Sequence, residues 1–386
     1  MTPRKGDAAL PKMWSRLVGQ EGAVTALGEA LRSESPGHAW LFVGPEGVGR
    51  RPAAFAFAAA LNCATGGLGC GECASCAKVL RSAHPDVHVI VPEGQQILVD
   101  QIRGSTTDRG VIPEAFRAPI EGTAKVFLLE DAAQMNLHAA NALLKVLEEP
   151  PAGVVFLLVT ADPDALPETV VSRCRRIDFI PLGPEAIRRV LVEQHGLDDG
   201  RAAWAARVGG NLARALRLAF DPDAGSRRLA HLGLLARLAS SDLAEAIRAA
   251  EEIRAEAEDA AVALGTQHQR ELEELAEVFG EGRGTAAQRK RLADRQKREA
   301  RRAELDTYLY TLDDLATAYR DRLIGAVGAG EDLMVDDAAP RLRTDPTSAL
   351  RALEMIERTR LAIERNAAPR IQLEALFANL GALPVS

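Results

Sequence analysis

The chain carries few aromatic side chains, ten Phe, three Trp and three Tyr among 386 residues. Ala, Leu and Arg are abundant instead, which favours helix over most of the length and excludes an all-β protein. Long apolar runs are missing too. The longest, such as Val154 to Val159, fall far short of the roughly 20 residues that cross a bilayer, so no spanning helix is expected. The start, Met1-Thr2-Pro3-Arg4-Lys5-Gly6-Asp7, lacks the apolar centre of a secretory signal, and a cytoplasmic location is expected. There is no basic surplus: 47 Lys and Arg face 54 Asp and Glu, a formal net charge of -7 that disfavours wrapping DNA by bulk charge. Cysteine is sparse but clustered. Four of the five lie between Cys63 and Cys76, which in that compartment favours a metal site over disulfides; Cys174 stands alone and reads as a small buried side chain.

The length leaves room for two or three domains. Residues 38 to 180 alternate strand and helix patterns, the signature of a mostly parallel sheet covered on both faces. The expected strands are His38–Val43, Asp86–Val91, Ala124–Leu129, Val154–Thr160 and Arg175–Phe179. Between the third and fourth, Leu137, Ala140, Leu143, Leu144 and Leu147 recur at helical spacing until Pro150-Pro151 ends the helix. Strand patterns stop after Pro181. The expected division is an α/β domain over 1–180, a small helical lid over 181–220 and an all-helical domain over 221–386, with Asp221–Ser226 as linker.

Gly44-Pro45-Glu46-Gly47-Val48-Gly49 follows a strand pattern and precedes a helix, where a glycine-rich loop turns backbone N–H groups toward phosphate. A nucleotide-hydrolysing loop then requires Lys, which reaches the phosphates, and Ser or Thr, whose hydroxyl ligates Mg²⁺. Arg50 and Arg51 stand there instead. The apolar run Val126–Leu129 ends in Glu130-Asp131, whereas metal binding and water activation want Asp first and Glu second. Hydrolysis should fail, and the loop is expected to be empty or to hold nucleotide without cleaving it. Cys63, Cys70, Cys73 and Cys76 supply four thiolates within 14 residues, and the intervening glycines let the backbone fold them round one ion. Four sulfurs favour tetrahedral Zn²⁺, and a cage with no open position is structural.

Together these residues resemble the clamp-loader subunits of bacterial replicative DNA polymerase III, members of the AAA+ superfamily, and most closely the delta-prime branch. The resemblance rests on Leu17-Val18-Gly19-Gln20-Glu21 with His38-Ala39-Trp40-Leu41-Phe42, on the cysteine module after the loop helix, on Ala139 through Pro151 and on Ser172-Arg173-Cys174. It covers roughly residues 13 to 220, with an echo in Asn366–Leu380, and leaves 240–330 unmatched. It implies a P-loop AAA+ domain with a zinc module, a helical lid and an all-α collar, in a machine that loads a sliding clamp on primed DNA. The partners it implies are motor subunits of the gamma/tau kind, a delta subunit, the clamp and primed DNA. The Arg50-Arg51 departure selects the branch without intrinsic ATPase. Arg173 matches the arginine that such subunits present to a neighbour's ATP, so the chain would act as stator and supply an arginine finger in trans to a polymerase assembly whose synthesis lies elsewhere. The lid's sensor position aligns with Ala213, and Arg214, one residue late, reads as solvated. Between Arg289 and Arg302 eight basic residues face two acidic ones, a local charge of +6 expected to form a solvated face paired with the acidic stretch Glu251–Glu277. Two rivals remain at this point: an active motor ATPase and an independent zinc-dependent DNA-binding protein.

Overall fold

The computed structural model describes residues 11–384 apart from 16, 34, 94–95, 106–109, 209, 240–242, 280–285, 329–344 and 366; the side chains of 12, 266–292, 294–295 and 297–298 also lie outside the described set. Five parallel strands form one sheet: β1 (Ala39–Val43), β2 (Val87–Ile90), β3 (Lys125–Leu129), β4 (Val154–Thr160) and β5 (Arg175–Asp178). Their order is β2-β3-β4-β1-β5. All five fall where the alternating pattern places them. β1, β3 and β4 are buried along their whole length, as strands covered on both faces must be. β5 is an edge strand and exposes Arg175, Arg176 and Asp178, charges that discourage edge-to-edge pairing.

Side-chain alternation divides the core in two. Trp40, Phe42, Val126, Leu128, Val155 and Leu157 meet the helices Glu21–Arg32 and Arg50–Leu61 on one face. Leu41, Val43, Phe127, Leu129, Phe156 and Leu158 meet the helix Leu137–Glu148 on the other. That helix starts where Asn136 Oδ1 accepts a hydrogen bond from the Ala139 N–H at 2.8 Å, and it stops before Pro150-Pro151. Its contact face differs from the expected stripe. Ala140, Leu143 and Leu147 are buried, but so are Ala139, Ala142 and Val146, whereas Leu137 is 64% exposed and Leu144 half-buried. The small alanines let the helix approach the sheet closely, which turns the contact stripe toward them.

The chain divides into two compact units, residues 1–206 with 210–219, and residues 207–209 with 220–386. The short helices Pro184–His195 and Asp199–Ala205 thus belong with the sheet. In the second unit the helices Ala224–Ala239, Leu243–Phe279, Ala286–Ala326, Pro346–Glu364 and Pro369–Gly381 enclose a core that includes Leu232, Leu235, Leu312, Leu315, Ile356 and Phe377. The expected linker Asp221–Ser226 is helical from Ala224 onward, and Asp221 pairs with Arg227. The expected pairing of Glu251–Glu277 with Arg289–Arg302 falls largely on side chains outside the described set. Among the described residues no helix is long and apolar enough to cross a membrane.

Candidate functional site

The glycine loop lies at the carboxyl end of β1, where open parallel sheets hold their ligands. Gly47 and Gly49 have φ of 73° and 101°, backbone that favours glycine. A Cβ on Gly47 would lie 1.9 Å from Asn211 Oδ1, because Asn211 caps the helix Leu212–Phe220 and packs against the loop. The Leu212 N–H also donates to the Gly47 carbonyl at 3.1 Å. A Cβ on Gly44 would stand 2.4 Å from the Phe179 carbonyl. The loop is therefore hemmed in by β5's exit and by the start of that helix.

Arg50 is buried, 7% exposed, at the start of the helix Arg50–Leu61. Arg51 reaches across to the end of β3: its Nε lies 2.5 Å from Glu130 Oε1, and its guanidinium stacks on Phe55 at 4.7 Å. A cation of this chain's own side chains thus joins the two places that share Mg²⁺ in a hydrolysing loop. Asp131 takes left-handed backbone (φ 49°) and leads into the turn Ala132–Gln134. Arg214 is buried at 4% exposure, which corrects the expectation of a solvated side chain. It shares the buried face of its helix with Ala215, Leu218 and Ala219.

The four cysteines come together. Their sulfurs all lie within 4.8 Å of one another, with Cys63–Cys70 at 3.7 Å and Cys63–Cys73 at 4.0 Å. A tetrahedron with metal–sulfur bonds of about 2.3 Å has edges near 3.8 Å, so the set is shaped to hold one ion. Gly66, Gly67, Gly69 and Gly71 all adopt positive φ and wrap the chain round it. Backbone N–H groups point at sulfur, from Cys70 to Cys63 at 3.3 Å and from Cys73 to Cys70 at 3.2 Å. N–H donation from Glu72, the Thr65 hydroxyl and the Cys73 N–H pull the Cys70 thiol down to about 6. Burial pushes Cys76 up to about 12 in the absence of a metal charge. Trp14, 2% exposed, donates its indole N–H to the Leu68 carbonyl at 2.7 Å and seats this knuckle on the domain.

Arg173 stands at the other end of the sheet. β5 runs parallel to β1 with Arg175 beside Trp40 and Asp178 beside Val43, so Arg173 lies before the amino ends of both strands. Some six residues of strand rise, about 20 Å at ~3.3 Å each, separate its level from the glycine loop. Its Nη2 lies 2.5 Å from Glu148 Oε1 and its Nη1 donates to the Thr169 carbonyl at 2.7 Å. Burial pushes the thiol of the adjacent Cys174 up to about 12, which suits an inert packing residue.

Sequence reasoning missed the polar anchors of this unit. Asp86 is fully buried and accepts N–H bonds from Ile120, Glu121 and Gly122 at 2.6, 2.8 and 2.7 Å. Asn62 Oδ1 accepts from Thr123 and Ala124, and buried Lys125 pairs with Glu114 at 2.6 Å. For Asp86 and Lys125 the one signal is a polar residue set directly against an apolar strand.

Residues 19–183 match a family described as DNA polymerase III, delta subunit. The DNA polymerase III subunit delta′ of Bacillus subtilis is 32% identical over 211 residues, 54% of this chain and 62% of that one. Subunit tau of Escherichia coli is 36% identical over 207 residues, 53% of this chain and 31% of that one. The chain thus spans less than two thirds of either relative. A DNA polymerase III gamma subunit-related protein from Thermotoga maritima aligns over 93% of this chain and 98% of its own at 18% identity, with a TM-score of 0.43. The α/β unit is a five-stranded parallel sheet with a glycine loop after β1. Over residues 19–183 the chain is thus similar to subunits of DNA polymerase III.

Proposed function

We propose that the chain is a delta-prime-type clamp-loader subunit, a stator that does not hydrolyse ATP itself and lends Arg173 to ATP held by a neighbouring motor subunit. The observation that carries this reading is the placement of two arginines at opposite ends of one sheet. Arg51 neutralises Glu130 beside the chain's own loop. Arg173 lies too far from that loop for its side chain to reach it, so a nucleotide it touches belongs to another chain. A planar, permanently charged guanidinium suits developing phosphoryl charge, and such fingers are worth about 10³- to 10⁵-fold in rate. The partners of this reading are gamma/tau motor subunits, a delta subunit, the sliding clamp and primed DNA.

The knuckle is read as a structural Zn²⁺ site held by Cys63, Cys70, Cys73 and Cys76, because four closed thiolates leave no position for substrate. A DNA-reading finger is disfavoured by Trp14, which anchors the knuckle to its own domain. The comparable likeness to tau favours, as a second reading, a motor subunit with nucleotide in its own loop.

Equilibrium titration of the whole chain with labelled Mg-ATP separates the two. The stator reading expects no turnover and no tight binding; micromolar binding with turnover establishes the motor. In a complex reconstituted with motor and delta subunits, Arg173→Ala should assemble normally yet slow ATP hydrolysis and clamp loading by on the order of 10²-fold or more, and Arg173→Lys should rescue little.

A further inference from the structure

Glu148 is the last residue of the helix Leu137–Glu148, a place where the helix dipole disfavours a carboxylate. Arg173, 25 positions further on, sets a positive charge against that carboxylate at 2.5 Å. The guanidinium is gripped a second time by the Thr169 carbonyl at 2.7 Å, so two acceptors from separate segments fix the plane of the fork. A guanidinium carries five N–H donors, and these two contacts use one on each terminal nitrogen. Three donors remain, and the side chain is 34% exposed at the amino end of the sheet.

We infer that Glu148 is the positioning residue for Arg173: its carboxylate and the Thr169 carbonyl hold the guanidinium so that its remaining N–H groups stay open to the phosphates of a neighbouring subunit's nucleotide. This rests on the proposed role of Arg173 in trans. Surface ion pairs add little to stability, so a pair placed against the helix dipole is better explained by orientation than by folding. Pre-orientation lowers the reorganisation needed when phosphoryl charge develops, and its loss shows in turnover rather than in binding. Lys145, one turn earlier on the same helix, is exposed and serves as a control for altered surface charge.

The experiment is ATP hydrolysis by the complete reconstituted complex on primed DNA, comparing wild type with Arg173→Ala, Glu148→Ala, Glu148→Gln, Lys145→Ala and the Arg173→Ala/Glu148→Ala pair, with assembly followed by gel filtration. Glu148→Ala should lower kcat about three- to tenfold with KM for ATP unchanged, and Glu148→Gln should lie between it and wild type. The double variant should be no slower than Arg173→Ala, because Glu148 acts only through that arginine. Should Glu148→Ala fail to assemble, the isosteric Glu148→Gln keeps the measurement available. Wild-type turnover in an assembled Arg173→Ala complex overturns the proposed function itself. Slow Arg173→Ala beside wild-type or faster Glu148 variants, or a double variant with multiplied losses, overturns the positioning role and leaves the finger standing.

Discussion

Asp86 in the α/β unit and His231 in the helical unit are both buried ionisable side chains, 0% and 3% exposed, yet they are satisfied by different means. Asp86 receives three backbone N–H groups of the segment entering β3. His231 is bracketed by side chains: Nδ1 lies 2.8 Å from Asp314 and Nε2 3.0 Å from Glu256, with Thr311 at 3.3 Å, Arg228 3.4 Å from Asp314 and Arg227 3.6 Å from Glu256. The difference follows from secondary structure. Loops beside a sheet have spare N–H groups to offer, whereas helices have spent theirs on their own turns, so a charge buried between helices must find charged side chains. The helical unit therefore ties part of its stability to the protonation of a buried histidine.

The chain allows the two units to be watched separately. Trp14, Trp40 and Trp204 all lie in the α/β unit, and Tyr308, Tyr310 and Tyr319 all lie in the helical unit. The largest expected effect is metal removal. A chelator, or Cys76→Ser, should lower the unfolding midpoint seen by tryptophan and leave the tyrosine transition in place, since binding energy at a closed thiolate site is folding energy. A metal-free preparation with unchanged tryptophan stability would rule out a structural metal at the knuckle.

Next comes His231→Gln, which removes the charged partner between buried Asp314 and half-buried Glu256 and should cost the helical unit about 3 kcal/mol by denaturant titration of the tyrosine signal. Burial opposes charging of His231, but Asp314 and Glu256 outweigh it and hold its pKa above the ordinary value. The sign is fixed by that direction. The histidine's contribution is complete below the unfolded value of about 6.5 and is lost as pH rises through the raised folded value. Wild type should thus lose tyrosine-reported stability above neutrality, and His231→Gln should lose that slope.

A smaller effect, about 1–3 kcal/mol on the tryptophan transition, is expected for Asp86→Ala, which leaves the three N–H donors without their acceptor. Burial would raise the Asp86 pKa, yet those donors hold it below the ordinary carboxylate value. Its contribution is present above about 3.9 and vanishes only as pH falls through the lowered folded value, so the cost of Asp86→Ala should stay constant across the range where the helical unit slopes. Smallest of all is Arg51→Ala. The pair with Glu130 is half open to water, and breaking it should move stability by less than about 1 kcal/mol in thermal unfolding.

Strands β1 to β5, the glycine loop and the cysteine cluster were legible because each depends on neighbours within a few positions. Asp86 was not, since its donors come from residues 34 to 36 positions later. Arg214 misled for a related reason: a lone arginine reads as solvated until the face of its helix is known, and that face was chosen by Ala215, Leu218 and Ala219. His231 gave no local hint at all, as Asp314 lies 83 positions away on another helix.

What the sequence by itself determined is chemical inventory and local form: four thiols at knuckle spacing, two arginines where a nucleotide loop wants Lys and a hydroxyl, and short apolar runs alternating with helical patterns. Tertiary structure decided what those groups face. It set Arg51 against Glu130, 79 positions apart, and placed Arg173 at the end of the sheet opposite the loop, held by Glu148. The physical reason is that helical hydrogen bonding and hydrophobic periodicity act over one or two turns of chain, whereas charge pairing acts through space and is settled only when parallel strands come into register.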